Sequence, residues 1–112
     1  IKVALINLTD DYTYSAAHAD KADVTSYGTT TDQTLTTGNI TVTSGVFDYT
    51  ADITFSNVNL DVSNADALVH YKDSGAGDAT SPLICYHDGF TAVTPNGGDI
   101  TVSYNASGIF AL

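Results

Sequence analysis

The amino-acid composition of this chain disfavours helices. It contains no Glu, Met or Arg, and Lys and Gln are scarce, so most of the strong helix-forming residues are missing. Thr, Val, Ile, Tyr and Phe recur instead, and these β-branched and aromatic residues favour strands. The composition therefore predicts an all-β fold.

Short strand-like segments alternate with turn signals along the chain. Residues 1–8 are apolar on both faces, which is expected of a central strand covered on both sides. Later strand-like segments are residues 40–43, 46–50, 52–56, 67–72, 83–88, 100–104 and 109–112. Such spacing is typical of an antiparallel β-sandwich or a partly closed barrel. We predict a single β-sandwich domain over residues 1–112, of jelly-roll or immunoglobulin-like type.

The segments between the predicted strands show less regular sequence patterns. Ser15 is placed to cap a helix over residues 16–22, so the fold has at most one short helix. Residues 25–37 predict a long surface loop around Leu35, and residues 57–66 predict another loop. The apolar segments at the two chain ends, 1–8 and 109–112, are predicted to pair inside one sheet, because neither suits a free edge.

The charge balance excludes two classes of partner. Three lysines and thirteen aspartates give a formal net charge of −10 at pH 7. A nucleic-acid binder needs a basic face to neutralise phosphates, and anionic membranes also attract basic surfaces. We therefore expect neither nucleic acid nor a membrane as a partner. Three lysines are also too few to protect every sheet edge.

The single cysteine cannot form a disulfide within the chain. Cys85 and His87 are two residues apart on a predicted strand, so their side chains share a face. Two soft ligands could begin a zinc or copper site, but a structural zinc takes four, and His18 and His70 are distant in sequence. We predict a buried cysteine beside a histidine at a strand end, and no metal site.

Aspartates and glycines raise further possibilities. Aspartates cluster at residues 10–11, 61–66 and 73–78, where calcium binding stays open, although none matches the helical calcium loop and turn capping is the simpler interpretation. Ser74 lacks the Gly-x-Ser-x-Gly context of a hydrolase nucleophile, and no carboxylate pair stands out. The sequence predicts a protein that is not an enzyme, with no catalytic, cofactor-binding or metal residues.

Several segments together resemble one family. These are IKVALI at residues 1–6, ADITF at 51–55, ALVHYKD at 67–73, TSPLICYHD at 80–88 and NGGDITVSYNASGIFAL at 96–112. In order and spacing they resemble a family of small virion structural proteins of tailed bacteriophages, over nearly the whole chain. Members usually have a short segment before the first strand and often Trp at the position of Tyr104. The first departure suggests that the chain is truncated or only partly ordered.

The resemblance implies assembly and no chemistry. It implies a capsid decoration or cement protein on the outer surface of the virion, which stabilises the shell without a cofactor. The implied partners are the major capsid protein or other virion subunits, and further copies of the chain in a homo-oligomer, a dimer or trimer. We expect residues 25–37 and the turn with Tyr12 and Tyr14 to contact a neighbouring subunit.

Two alternatives stay open. The chain could be a tail, baseplate or fibre subunit of the same virion. It could instead be a free extracellular glycan-binding module, which normally presents exposed aromatic side chains. Tyr12, Tyr14 and Tyr27 could supply such a surface.

Overall fold

A computed structural model describes residues 1–6, 12–25, 31–58 and 65–112. Every pairing between the strands in these ranges is antiparallel, and the helical turns there are all of the 3-10 type. The strands are β1 (Lys2–Ile6), β2 (Gln33–Thr34), β3 (Ile40–Thr43), β4 (Val46–Tyr49), β5 (Ile53–Phe55), β6 (Ala67–Tyr71), β7 (Leu83–His87), β8 (Ile100–Val102) and β9 (Phe110–Ala111). The 3-10 helices are Lys21–Asp23, Thr37–Asn39 and Asp78–Thr80. The all-β prediction is confirmed.

The strands form three sheets that share one core. The largest has the order β2-β1-β6-β7, and the smaller ones have the orders β3-β4-β9 and β5-β8. Leu5 and Leu68 of the large sheet pack with Tyr49 of β4 and Phe55 of β5 in a single buried cluster. The smaller sheets therefore cover one face of the large sheet, in a sandwich-like arrangement. Its jelly-roll or immunoglobulin-like connectivity stays a prediction.

The other face of the large sheet is covered by the segment that follows β1. Ala4, Ile6 and Val69 pack there against Tyr12 and Val24. Strand β1 pairs with β2 on one side and β6 on the other, and its last four residues are buried. The prediction of a central strand covered on both faces is therefore confirmed for β1.

The helix predicted for residues 16–22 is replaced by a turn and a 3-10 helix. Ser15 does accept a hydrogen bond from the backbone N–H of Ala17, at 3.2 Å. Farther along, the backbone of Ala19 and Lys21 pairs with the segment before β7: Leu83 donates to the Ala19 carbonyl at 2.9 Å. These carbonyl and N–H groups are no longer free for an α-helical ladder, so the helix prediction is wrong.

The two chain ends do not pair in one sheet, so that prediction is also wrong. Strand β1 lies in the large sheet, whereas β9 pairs with β4 at the edge of the three-stranded sheet. Aromatic stacking favours the pairing of β9 with β4, because Phe110 lies opposite Phe47 and their ring centroids are 5.1 Å apart. Leu112 is fully exposed, and the end of the chain is less buried than its composition suggests.

The predicted loops contain core residues. Within 25–37, Gln33–Thr34 forms β2, and Leu35 is buried and donates from its N–H to the Ile1 carbonyl at 2.9 Å. The prediction of a surface loop is therefore wrong for 33–35, while residues 26–30 lie outside the described ranges. Val58, in the second predicted loop, is fully buried, and residues 59–64 lie outside the described ranges.

Candidate functional site

Three metal-ligating side chains meet on β6 and β7. His70 of β6 lies opposite Cys85 of β7, and His87 follows two residues later on the same strand. One ligand atom from each residue lies within 4.8 Å of the others. We call this group the His–Cys–His cluster.

A β-bulge aims these side chains toward the core. The register shifts after His70, because β7 carries one more residue than β6 between the pairs His70–Cys85 and Tyr71–Leu83. The extra residue lets Leu83 pack on the outer face of the large sheet while Cys85 faces the shared core. Cys85 and His87 then share that inner face with His70, as strand alternation requires.

The hydrogen bonds of the cluster leave one nitrogen unused. The Sγ of Cys85 lies 3.6 Å from Nε2 of His87. The Nε2 of His70 lies 2.7 Å from the hydroxyl oxygen of Tyr104. Nδ1 of His70 is buried and has no hydrogen-bond partner in the described ranges. A buried polar atom without a partner is costly, so this nitrogen calls for an explanation.

Tyr104 connects the cluster to the three-stranded sheet. Its ring lies edge-on to Tyr49 of β4, with centroids 6.0 Å apart and planes at 89°. Its hydroxyl group bonds to His70, and burial raises its pKa above the usual range. Tyr104 therefore places its hydroxyl group on a buried histidine.

Burial sets the protonation states of the cluster. It lowers the pKa of His70 to about 3, with a smaller contribution from nearby His87, and it also lowers the pKa of His87. It raises the pKa of the Cys85 thiol to about 11. A catalytic cysteine needs a lowered pKa, because the thiolate is the nucleophile. At neutral pH this thiol is protonated, which disfavours nucleophilic catalysis by Cys85.

A cavity of about 380 Å³ opens beside the cluster. His87 and Tyr104 line it, and much of the remaining wall is apolar, including Leu68 and Ile100. Asp88 also lines this cavity. Of the cluster, His87 is therefore accessible to a small solute in this cavity.

A second feature is a row of apolar side chains across the three-stranded sheet. Val42 lies opposite Phe47, and Phe47 lies opposite Phe110, so the three side chains form one row across the sheet. Val42 is 68% exposed, whereas both phenylalanines are partly buried and pack against the shared core. We call Val42, Phe47 and Phe110 the apolar row. Its outer strand β3 carries no charged side chain and is a sheet edge among the described strands.

Two residues considered as site candidates from the sequence, Asp73 and Ser74, interact with neighbouring side chains. Asp73 bonds to Lys2, with Oδ2 2.7 Å from Nζ, and accepts a hydrogen bond from the N–H of Gly75. Ser74 lies in the same turn, and its hydroxyl is 2.7 Å from that of Thr80. Asp10, Asp11 and Asp61 lie outside the described ranges.

Of the tyrosines proposed for glycan binding, Tyr12 and Tyr14 line one pocket together with Tyr86, but only Tyr14 of this pair is exposed. Tyr12 is 4% exposed, and its hydroxyl oxygen lies 2.8 Å from Nδ1 of His18. The prediction that Tyr12 is exposed is wrong, because this ring fills the space over the outer face of the large sheet. Tyr14 is 55% exposed and stacks on Tyr86, while Tyr27 lies outside the described ranges.

Strand alternation predicts that Cys85 and His87 share a face, but it does not join His70 and Tyr104 to them. His70 follows Leu68 at a spacing of two in an apolar strand, which is a signal that it faces the core. Its pairing with Cys85 depends on the register of two strands separated by a loop. That register is a tertiary property, and the spacing of residues did not reveal it.

No protein-family model matches the chain, and no curated protein matches it. The resemblance to phage virion proteins therefore stays a prediction. Within the described ranges, none of the helices has the length and apolar character needed to cross a membrane.

Proposed function

We propose that the chain is a non-enzymatic virion structural protein of a tailed bacteriophage, which decorates the outer capsid surface and stabilises the shell. The observation that carries the proposal is the apolar row beside β3, which is a sheet edge among the described strands. The resemblance of segments along nearly the whole chain supports the same function. The proposed partners are the major capsid protein or other virion subunits, and copies of the chain in a dimer or trimer.

The apolar row has the properties of a contact surface. Val42 exposes 68% of its surface next to two partly buried phenylalanine rings. Exposed edge strands pair readily with other chains, and proteins usually protect them with charged side chains. Lys21 is buried, Lys2 lies on the central strand β1, and Lys72 directly follows β6 of the large sheet, so none of the three lysines lies on β3. A neighbouring subunit that covers the row would remove both the apolar exposure and the open edge.

The negative charge suits a protein that attaches in many copies. A net charge of −10 makes free copies repel one another, which keeps them apart before they bind. Binding then depends on the apolar contact and on the charge of the shell beneath it. The chemistry of the His–Cys–His cluster adds support, because a protonated, buried thiol is unsuited to nucleophilic catalysis.

The experiment is a binding assay on particles of the encoding phage that lack this gene product. Purified wild-type chain is added, and its occupancy on the shell is measured by sedimentation with the particles. Val42→Asp places a charge in the apolar row and is expected to lower the affinity at least about tenfold, since burying an unpaired charge is costly. Thr43→Asp is the matched control: it adds the same charge at the next residue, on the opposite face of β3.

Equal binding of both variants and the wild-type chain would contradict a contact through the apolar row. Wild-type chain that binds tails but not shells would favour the alternative of a tail, baseplate or fibre subunit. A chain that binds no part of the particle would contradict the virion function altogether.

A further inference from the structure

We propose that the His–Cys–His cluster is a metal site for Zn²⁺, with His70, Cys85 and His87 as protein ligands. A fourth position is left for water or another external donor. Two imidazole nitrogens and one thiolate are ligands that zinc prefers. Three protein ligands with one open position is the arrangement of catalytic zinc sites, but the role that we propose for the ion here is to join two strands of the sheet.

The spacing of the donors fits such an ion. Bond lengths of about 2.3 Å to sulfur and about 2.0 Å to nitrogen place the two donors of a tetrahedral zinc about 3.6 Å apart. The Sγ of Cys85 and Nε2 of His87 are 3.6 Å apart. With all three ligand atoms already within 4.8 Å of one another, side-chain movements of about 1 Å complete the set.

His70 provides an independent observation. Its side chain is fully buried, one ring nitrogen bonds to the Tyr104 hydroxyl, and the other has no partner in the described ranges. Histidine ligands commonly use one nitrogen for the metal while a second group holds the other. A metal bound at Nδ1 of His70 would satisfy that nitrogen, whereas a metal bound at Nε2 would displace the Tyr104 hydroxyl group.

An ion also has a route to the cluster. The cavity of about 380 Å³ is lined by His87 and Tyr104, so an ion can approach the His87 side of the cluster from there. Asp88 lines the same cavity, and its carboxylate group favours a cation there. The bound ion would join β6 to β7 in a chain whose single cysteine cannot form an internal disulfide.

The first test uses the wild-type chain after removal of metals with a chelator. Co²⁺ is titrated in, because it occupies zinc sites and reports a bound thiolate by near-ultraviolet charge-transfer absorption. We expect about one Co²⁺ per chain, the thiolate band, and displacement by Zn²⁺. X-ray absorption of the zinc-loaded chain should show sulfur and imidazole nitrogen together in the first shell. Absence of the thiolate band would overturn the proposal.

Variants assign the ligands. Cys85→Ser should abolish the band, and His87→Gln should weaken binding more than about tenfold, since even outer-shell changes cost 10- to 100-fold. His18→Gln is the matched control, because His18 bonds to Tyr12 and lies outside the cluster. Its affinity should equal that of the wild type.

Folding of each variant is checked by circular dichroism. If Cys85→Ser does not fold, His87→Gln and the wild-type X-ray absorption decide the outcome, because neither needs that variant. His87→Gln with wild-type affinity, or a zinc shell without sulfur, would overturn the proposed site.

Discussion

Gly108 permits a close approach between the segment before β9 and strand β4, and its replacement by alanine tests how β9 is held. Gly108 has φ of +95°, a region that side chains disfavour. A Cβ there would lie 2.3 Å from Cγ1 of Val46 and 3.0 Å from the carbonyl oxygen of Phe47. The same carbonyl accepts a hydrogen bond from the N–H of Ile109 at 2.7 Å, so it cannot move freely.

Two costs add up in Gly108→Ala. The left-handed backbone costs alanine about 1–2 kcal/mol, and overpacking costs about 1–3 kcal/mol. Alanine also reduces the conformational entropy of the unfolded chain, which offsets about 0.4–1 kcal/mol of this loss in stability. We therefore expect a loss of about 3 kcal/mol in the free energy of unfolding, measured by urea denaturation.

Gly97→Ala separates the two costs. Gly97 has a similar φ of +85°, but no atom lies within 4 Å of the Cβ position. This variant should lose only about 1 kcal/mol, because it bears the backbone cost without the clash. Equal losses for Gly97→Ala and Gly108→Ala would refute the close approach of β4 and β9.

Three further changes test the core and its buried charges. Lys21→Met should lower the free energy of unfolding by about 3–5 kcal/mol in urea denaturation, since the Lys21 side chain is 2% exposed and its Nζ lies 3.8 Å from Oδ2 of Asp32. Lys72→Met is the control at an exposed position, and it should lower the free energy of unfolding by less than about 0.5 kcal/mol. Phe55→Ala should cost about 3–5 kcal/mol, because Phe55 is fully buried in the shared core; a loss below about 1 kcal/mol would contradict that packing. In metal-free protein, burial lowers the pKa of His70 to about 3, so the unfolded chain binds this proton first as the pH falls. Stability should then decrease by about 2 kcal/mol between about pH 7 and pH 5, and a urea midpoint that stays constant over this range would contradict the burial of His70.

The strands were predictable because their signals are local. The double-sided apolar pattern of β1 identified a central strand, and the alternation at 40–43 identified β3 within its observed bounds. The predicted helix at 16–22 failed because its backbone pairs with the segment before β7, sixty residues away in the sequence. Local propensity cannot include that competition.

The candidate site was predictable only in part, for the same reason. Cys85 and His87 share a face by simple alternation on one strand. His70 joins them through the register of β6 against β7, and Tyr104 arrives from beyond β8. These contacts depend on how separate strands are placed in space, and one bulge in β7 changes which residues face inward.

The proposed function is tested most directly by locating the chain in a reconstruction of the phage particle that encodes it. We expect copies distributed over the outer capsid shell, with Val42, Phe47 and Phe110 covered by a neighbouring subunit. A particle that contains the chain only along the tail axis, or does not contain it, would contradict a capsid decoration protein.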